Sequence, residues 1–254
     1  MKKEVKKTLC YAAFSALVIL LTATMASASG AGGAKPFLFL DTEFLEEHNL
    51  VVVAYSWAVM VILVVLSFLA TRKLELIPTG IQNFMEVVVE TLDNTINDTM
   101  GPEGRRFFPL VATIGVYILT CNLIGLIPGF ESPTSNVNTN FSMAIGVFLV
   151  THYVGIKTHG AKYIKHFLGP IWWLSPLMLV IELIAHIARP VSLTVRLFGN
   201  IKGEDIVLMV VLGLVPALVP LPVCVLMIFT SVVQTIVFML LTMMYISGAL
   251  EHAH

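Results

Sequence analysis

The stretch from Glu182 to Asp205 reads ELIAHIARPVSLTVRLFGNIKGED and lies inside a long apolar segment. At roughly 100° per residue, most of its polar side chains share about a quarter of the circumference of a helix. The opposite side is mostly Leu, Ile and Val. The polar arc consists of Glu182, His186, Arg189, Arg196, Asn200 and Glu204, whereas Lys202 and Asp205 lie off it. The meaning of this arc depends on whether the rest of the chain is soluble or embedded in a membrane.

The composition indicates a membrane protein. Of 254 residues, 57% are hydrophobic and 12% are charged, against about 25% charged in soluble domains. Several apolar runs reach the roughly 20 residues that cross a bilayer as a helix, and backbone facing lipid must be helical to satisfy its own hydrogen bonds. We therefore predict an all-α membrane protein in which the polar arc is buried. Intramembrane charges are costly and usually functional, although mutual pairing for packing alone is the alternative.

The apolar runs predict about five transmembrane helices. They cover approximately residues 50–70, 107–128, 141–156, 172–215 and 223–248. The fourth segment would extend roughly 60 Å as one helix, about twice the hydrocarbon thickness. We expect it to be steeply tilted, kinked at Pro190 or broken. Residues 78–106 are too polar to span and predict a helix along the membrane surface or against a partner.

The two ends of the chain have different predicted fates. Residues 1–28 combine a basic start, an apolar middle and a small-x-small site, which is typical of a cleavable secretory signal. An uncleaved anchor is the alternative, and residues 29–254 form a single polytopic domain in either case. Basic side chains occur in alternate connections, which predicts a mature N-terminus outside and a cytoplasmic C-terminus. They are Arg72, Lys73, Arg105, Arg106, Lys157, Lys162 and Lys165.

Several function classes find no support in the sequence. The net charge of -1 gives no basic footprint for nucleic acid. The three cysteines lie far apart in apolar runs, and the histidines do not form an HExxH motif, so neither a metal site nor a cofactor is expected. There is no GxxxxGK[ST] loop for a nucleotide. The chain is therefore not expected to be an enzyme on its own.

Arg196 is the residue of the arc that most needs a partner. Its guanidinium stays protonated, so it requires a carboxylate. Glu182 lies ~21 Å from it along the helix and Glu204 ~12 Å away on the other side, so the carboxylate is expected on another helix or subunit. Two titratable groups flanking a permanent charge predict proton relays from the two membrane faces. His186, which titrates near neutrality, is either part of a relay or a packed core residue.

Other polar residues allow a functional or a structural interpretation. Gln234, in the middle of the last helix, is expected either to hydrogen-bond a neighbouring helix or to act beside Arg196. Asn122, Asn136 and Asn138 either line an outer water entrance or occupy loops and helix ends.

Four stretches together resemble subunit a of the bacterial F-type ATP synthase. They are PVSLTVRLFGN (190–200) with Glu182 before it, the final helix QTIVFMLLTMMYISGALEHAH (234–254), CNLIGLIP (121–128) and PTSNVNTNFSMAIGVF (133–148). The resemblance implies a non-catalytic stator subunit of a rotary motor in the bacterial inner membrane. Its implied partners are a ring of c subunits, the b-subunit peripheral stalk, the rest of the F1Fo complex and the lipid bilayer.

The resemblance also implies roles for single residues. Arg196 would face the ion-carrying carboxylate of the ring, and the last two long helices would lie steeply tilted along the ring. Asn200, Glu204 and Gln234 would belong to an outer half-channel for protons and Glu182 to a cytoplasmic one. Glu204 and Asp205 both qualify as the outer acid. Some family members carry a histidine or glutamate where this chain has Met227, which cannot carry a proton.

The function expected from this resemblance is proton flow that drives rotation and ATP synthesis. A stand-alone proton-coupled transporter is the alternative, although the absence of internal repeats in the sequence argues against it.

Overall fold

The computed structural model describes residues 51–72, 80–127, 130–160, 175–214 and 220–251. Within these ranges the regular structure is helical and contains no β-strand. The helices are α1 (Val51–Thr71), α2 (Ile81–Met100), α3 (Phe108–Ile124), α4 (Val137–His159), α5 (Ser175–Leu214) and α6 (Pro220–Glu251), with short 3₁₀ turns at Pro102–Phe107 and Pro133–Ser135. The predicted signal segment at residues 1–28 lies outside the described residues.

Among the described residues, five helices are long and apolar enough to cross a membrane, which confirms the predicted all-α membrane fold. These candidate spans are Val51–Thr71, Gly104–Ile124, Val137–Thr158, Leu177–Val211 and Pro222–Leu250. The third begins four residues before the expected position, because the side chain of Asn136 accepts a hydrogen bond from the backbone N–H of Asn138 and caps the helix. The last begins at Pro220 rather than residue 223, because proline fits the first helical turn.

Helix α2 occupies the polar stretch between the first two spans, as its residue spacing predicted. It ends at Gly101, whose φ of 66° lies in the left-handed region that glycine adopts readily. Phe84 and Val87 are both exposed on it. Its apolar side therefore packs only partly against this chain.

Helix α5 is one unbroken helix of 40 residues with Pro190 inside it. At about 1.5 Å per residue it is roughly 60 Å long. The alternative of a broken segment is therefore wrong for Ser175–Leu214, while the steep tilt and the kink at Pro190 stay predictions. The length places polar groups from both ends of the arc on one rigid element.

The core forms where α4, α5 and α6 pack together with α3. Ile118, Val147, Leu197 and Phe238 are fully buried there, one from each of the four helices. A second cluster joins α2 and α3 to the end of α6 through residues such as Ile96 and Ile246. Helix α5 is thus covered by α4 and α6 on one side, whereas its other side is exposed.

Candidate functional site

The exposed side of α5 carries Arg196 beside a stripe of small residues. Ala188, Ser192, Gly199 and Gly203 are exposed together with Arg196 and occupy about 80° of the helix circumference at ~100° per residue. A Cβ atom built on either glycine would meet no described residue within 4 Å apart from the adjoining backbone of α5. We refer to these five residues as the small-residue face. It is a flat surface that a neighbouring helix could approach closely.

Arg196 finds no carboxylate within the part of the chain that the structure describes. No ion pair or hydrogen bond of its guanidinium is found there, and the neighbours that anchor this turn, Leu193 and Leu197, are apolar and buried in the core. The structure thus separates Arg196 from the acids of its own helix, as the spacing along α5 predicted.

The first half of α5 brings together Glu182, His186 and Arg189. The Nδ1 atom of His186 lies 2.9 Å from the backbone oxygen of Glu182 and 3.4 Å from its Oε1 atom. His186 is buried, and its ring meets that of His152 on α4, with 5.3 Å between centroids. The Arg189 guanidinium lies 5.4 Å from the centre of the Tyr245 ring on α6.

The second half of α5 faces the first half of α6. Two contacts set the antiparallel register, Arg189 with Tyr245 and Glu204 with Thr230. Between them Asn200 and the buried Gln234 fall at the same level. The Oε1 atom of Glu204 is buried and has no hydrogen-bond partner among the described residues. This register places Asn200, Glu204 and Gln234 at neighbouring levels along the contact between α5 and α6.

Glu204 and Asp205 have different surroundings. Asp205 interacts electrostatically with Lys202 and with Glu131 in the connection before α4, whereas Glu204 lies against Thr230 of α6. Met227, one turn before Thr230, is buried. Of the two acids, Glu204 is the one that faces the last helix beside Gln234.

A buried hydrogen-bond network surrounds Asn122 at the same end. The Thr134 hydroxyl donates to Oδ1 of Asn122 at 2.6 Å and lies 2.6 Å from the Ser132 hydroxyl, and Nδ2 of Asn140 donates to the Thr134 carbonyl at 2.7 Å. Nδ2 of Asn122 and Oδ1 of Asn140 have no partner within the described ranges. Asn136 has a structural role as the α4 cap, and Asn138 follows it in the first turn.

Replacing Thr134 by valine is expected to destabilise the protein by about 1–3 kcal/mol, because the buried Asn122 carbonyl loses its donor. Thermal unfolding of the detergent-solubilised protein would measure the change. Thr91→Val is the matched control, since the exposed Thr91 hydroxyl donates only to the Val87 carbonyl of its own helix. An unchanged melting temperature for Thr134→Val would contradict this account.

Three of these residues were not identified from the sequence. His152, Thr134 and Asn140 meet their partners across helices, so no local spacing reveals them. A histidine inside an apolar span was the one available signal for His152. No group of three His, Cys, Asp or Glu side chains is placed to hold a metal ion in the five described ranges.

Most of the chain matches a known protein family. The sequence profile of the family described as ATP synthase A chain matches residues 53–247. The chain belongs to the ATP synthase subunit a family. This confirms the resemblance seen in the RLFGN stretch and its flanks.

Curated relatives carry the same name. ATP synthase subunit a of Trichlorobacter lovleyi is 59% identical over 202 residues, which cover 80% of this chain and 88% of the relative. ATP synthase subunit a 3 of Pelobacter propionicus is 54% identical over 226 residues, or 86% of this chain and 99% of the relative. ATP synthase subunit a of Geobacter sulfurreducens is 51% identical over 215 residues, or 85% and 94%. As a member of the subunit a family, the chain belongs to the membrane sector of ATP synthase. Its five candidate spans among the described residues make it a multi-pass membrane protein.

Proposed function

We propose that this subunit carries protons through two half-channels to and from a carboxylate on the c ring, so that proton flow drives rotation and ATP synthesis. One observation carries the proposal. Arg196 has no acidic partner among the residues that the structure describes and stands on the exposed small-residue face of α5, between titratable groups toward both ends of the helix. A ring helix that passes along this face would supply the missing carboxylate.

Arg196 has two tasks in this mechanism. Its positive charge stabilises the ionised form of an approaching carboxylate, so the ring gives up its proton before it passes. The guanidinium remains charged under all working conditions and repels a proton that would otherwise leak between the half-channels. Each charge that crosses 100 mV supplies about 2.3 kcal/mol, so several passages are accumulated for each ATP. ATP itself is made by partner subunits, since this chain is not the catalytic one.

The outer half-channel in this proposal runs between the second half of α5 and α6. Glu204 is its acid, supported by its unpaired buried oxygen beside Thr230. Asn200 and Gln234 continue the path toward Arg196, and Asp205 lies at the mouth. Asn122 and Asn138 belong to the polar region around this entrance.

The cytoplasmic half-channel uses the first half of α5, where Glu182 and His186 lie. We place the mature N-terminus outside and the C-terminus in the cytoplasm of a bacterial inner membrane, with residues 1–28 as a secretory signal. The basic residues of alternate connections, among them Arg72 and Lys157, support this orientation. The b-subunit stalk and the rest of the F1Fo complex are the further proposed partners.

Reconstitution tests this function against the stand-alone transporter. Liposomes that contain the purified chain alone are expected to show no proton flux above the lipid background, because the ring carboxylate proposed to face Arg196 is then missing. Liposomes that contain the chain with the c ring and the b subunit are expected to conduct protons under an imposed potential. Equal flux from the chain alone would favour a transporter and overturn the rotary proposal.

A further inference from the structure

We propose that His152 is a further residue of the cytoplasmic half-channel, where it forms a two-imidazole proton relay with His186 that delivers protons to Glu182. The proposal rests on the proposed function and adds a residue of α4 to a path otherwise built from α5 and α6. It concerns a contact between helices that neither the helical periodicity nor the family comparison identifies.

The geometry brings the two histidines together at the α4–α5 interface. Their rings meet edge to face, with centroids 5.3 Å apart and an interplanar angle of 80°. His186 is buried, and His152 is partly buried and also stacks against Phe148 at 4.1 Å. Two imidazoles in contact between membrane helices are costly unless they are used, because polar side chains at this depth lose their water.

Backbone hydrogen bonds fix the tautomer of both rings. Nδ1 of His152 lies 3.0 Å from the Phe148 carbonyl oxygen, and Nδ1 of His186 lies 2.9 Å from the Glu182 carbonyl oxygen. A carbonyl oxygen only accepts, so each Nδ1 must carry the hydrogen when the ring is neutral. The lone pair of each neutral ring is therefore on Nε2, which is the atom that takes up a proton.

A small cavity leads from His152 toward the middle of α5. It lies between α4, α5 and α6 and is lined by Thr151, His152, Arg189, Leu193 and Tyr245 among others. Its volume of about 10 Å³ is close to the minimum that holds one water molecule. This cavity opens beside His152 and extends along α5 as far as Leu193, one turn before Arg196.

Charged and titratable groups on three helices lie near the two histidines. Glu182 of α5 attracts a positive charge on it, and Arg189 of α5 repels one. On α6, the ring of Tyr245 faces the guanidinium of Arg189. On α4, the ammonium group of Lys157 lies over the ring of Tyr153, which is on the exposed side of α4. The opposing effects of Glu182 and Arg189 suit a site that binds a proton briefly and passes it on.

The relay conserves one proton at every step. A proton from cavity water binds Nε2 of His152, and rotation of one ring about its Cβ–Cγ bond lets the proton pass to Nε2 of His186. Rotation of the His186 ring then carries its Nε2 proton to the carboxylate of Glu182, whose Oε1 atom lies 3.4 Å from Nδ1 of the same ring, as one N–H bond breaks and one O–H bond forms and the ring returns to its Nδ1–H form. Both rings end neutral, and Glu182 passes the proton to the cytoplasm.

The relay is tested by passive proton conduction in inside-out vesicles from which F1 has been removed. The medium on the cytoplasmic side is titrated from about pH 5 to 8, the range in which imidazole changes its charge. His152→Gln is expected to slow conduction at least about tenfold, as loss of a positioned proton carrier does, and to remove the pH step that the relay predicts for the wild type. His152→Glu restores a titrating group and is expected to regain conduction with the step at lower pH. Tyr153→Gln is the matched control on the exposed side of α4 and is expected to behave as wild type.

The outcomes separate the relay from the function on which it rests. Equal rates and an unchanged pH profile in assembled His152→Gln vesicles would overturn the relay and leave the rotary function intact. Equal slowing by His152→Gln and His152→Glu, with no shifted pH step, would show that His152 only packs and would also overturn it. Wild-type vesicles whose conduction does not depend on the c ring would instead overturn the proposed function.

Discussion

Complexes that carry Arg196→Ala are expected to assemble normally and to make almost no ATP when a proton gradient is imposed. The exposed position of Arg196 on α5 means that its removal leaves no cavity in the core. The approaching ring carboxylate would then lose its counter-charge. Loss of one member of a buried charge pair costs about 3–5 kcal/mol of interaction free energy. Because each 1.4 kcal/mol corresponds to about a tenfold change in an equilibrium constant, the rate of ATP synthesis should fall at least about a hundredfold.

Two further variants define this effect. Arg105→Ala removes a cation that pairs with Asp93 at 3.2 Å in an exposed position away from α5, and it should retain synthesis close to wild type. Arg196→Lys keeps the charge but loses the planar fork that binds a carboxylate through two hydrogen bonds, so it should be strongly impaired. Normal synthesis by assembled Arg196→Ala complexes would contradict the role given to this residue.

Replacing Gly203 by leucine is expected to prevent the c ring from packing against α5. A Cβ atom at this position meets nothing within 4 Å among the described residues, and leucine favours helix more than glycine by up to about 1 kcal/mol, so the subunit should still fold and insert. The protruding leucine would hold a neighbouring helix away from the small-residue face. We expect recovery of the ring by co-purification to fall at least about tenfold, because close helix contact in membranes depends on small residues.

Gly146→Leu is the matched control for this variant. A Cβ atom at Gly146 likewise meets nothing within 4 Å, but Gly146 lies on α4 rather than on α5. Ring recovery with Gly146→Leu should equal that of wild type. Full ring recovery with Gly203→Leu, or the same loss with both variants, would show that the small-residue face does not bind the ring.

Hydropathy and helical periodicity predicted most of the architecture. Long apolar runs must be helical in a membrane, so the five spans and the continuity of the polar arc on α5 followed from the sequence alone. Their limits at Asn136 and Pro220 shifted by three or four residues, because a cap and a first-turn proline each extend a helix beyond its apolar run.

The packing of the arc required the structure. Helical spacing placed Arg196 and His186 within one quarter of the circumference, but Arg196 is exposed and His186 is buried. This difference depends on where α4 covers α5, which no local pattern encodes. The contacts of His152 with His186 and of Thr134 with Asn122 likewise depend on the register between elements that are distant in sequence.

ATP-driven acidification of inside-out vesicles with assembled Arg196→Ala complexes tests the central claim most directly. Assembly is checked by co-purification of the ring, and intact F1 is checked by ATP hydrolysis in the same vesicles. We predict that ATP hydrolysis shows F1 to be present on the Arg196→Ala vesicles but that these vesicles do not acidify. Wild-type vesicles should acidify strongly. Acidification at the wild-type rate would contradict the claim that Arg196 couples proton flow to rotation.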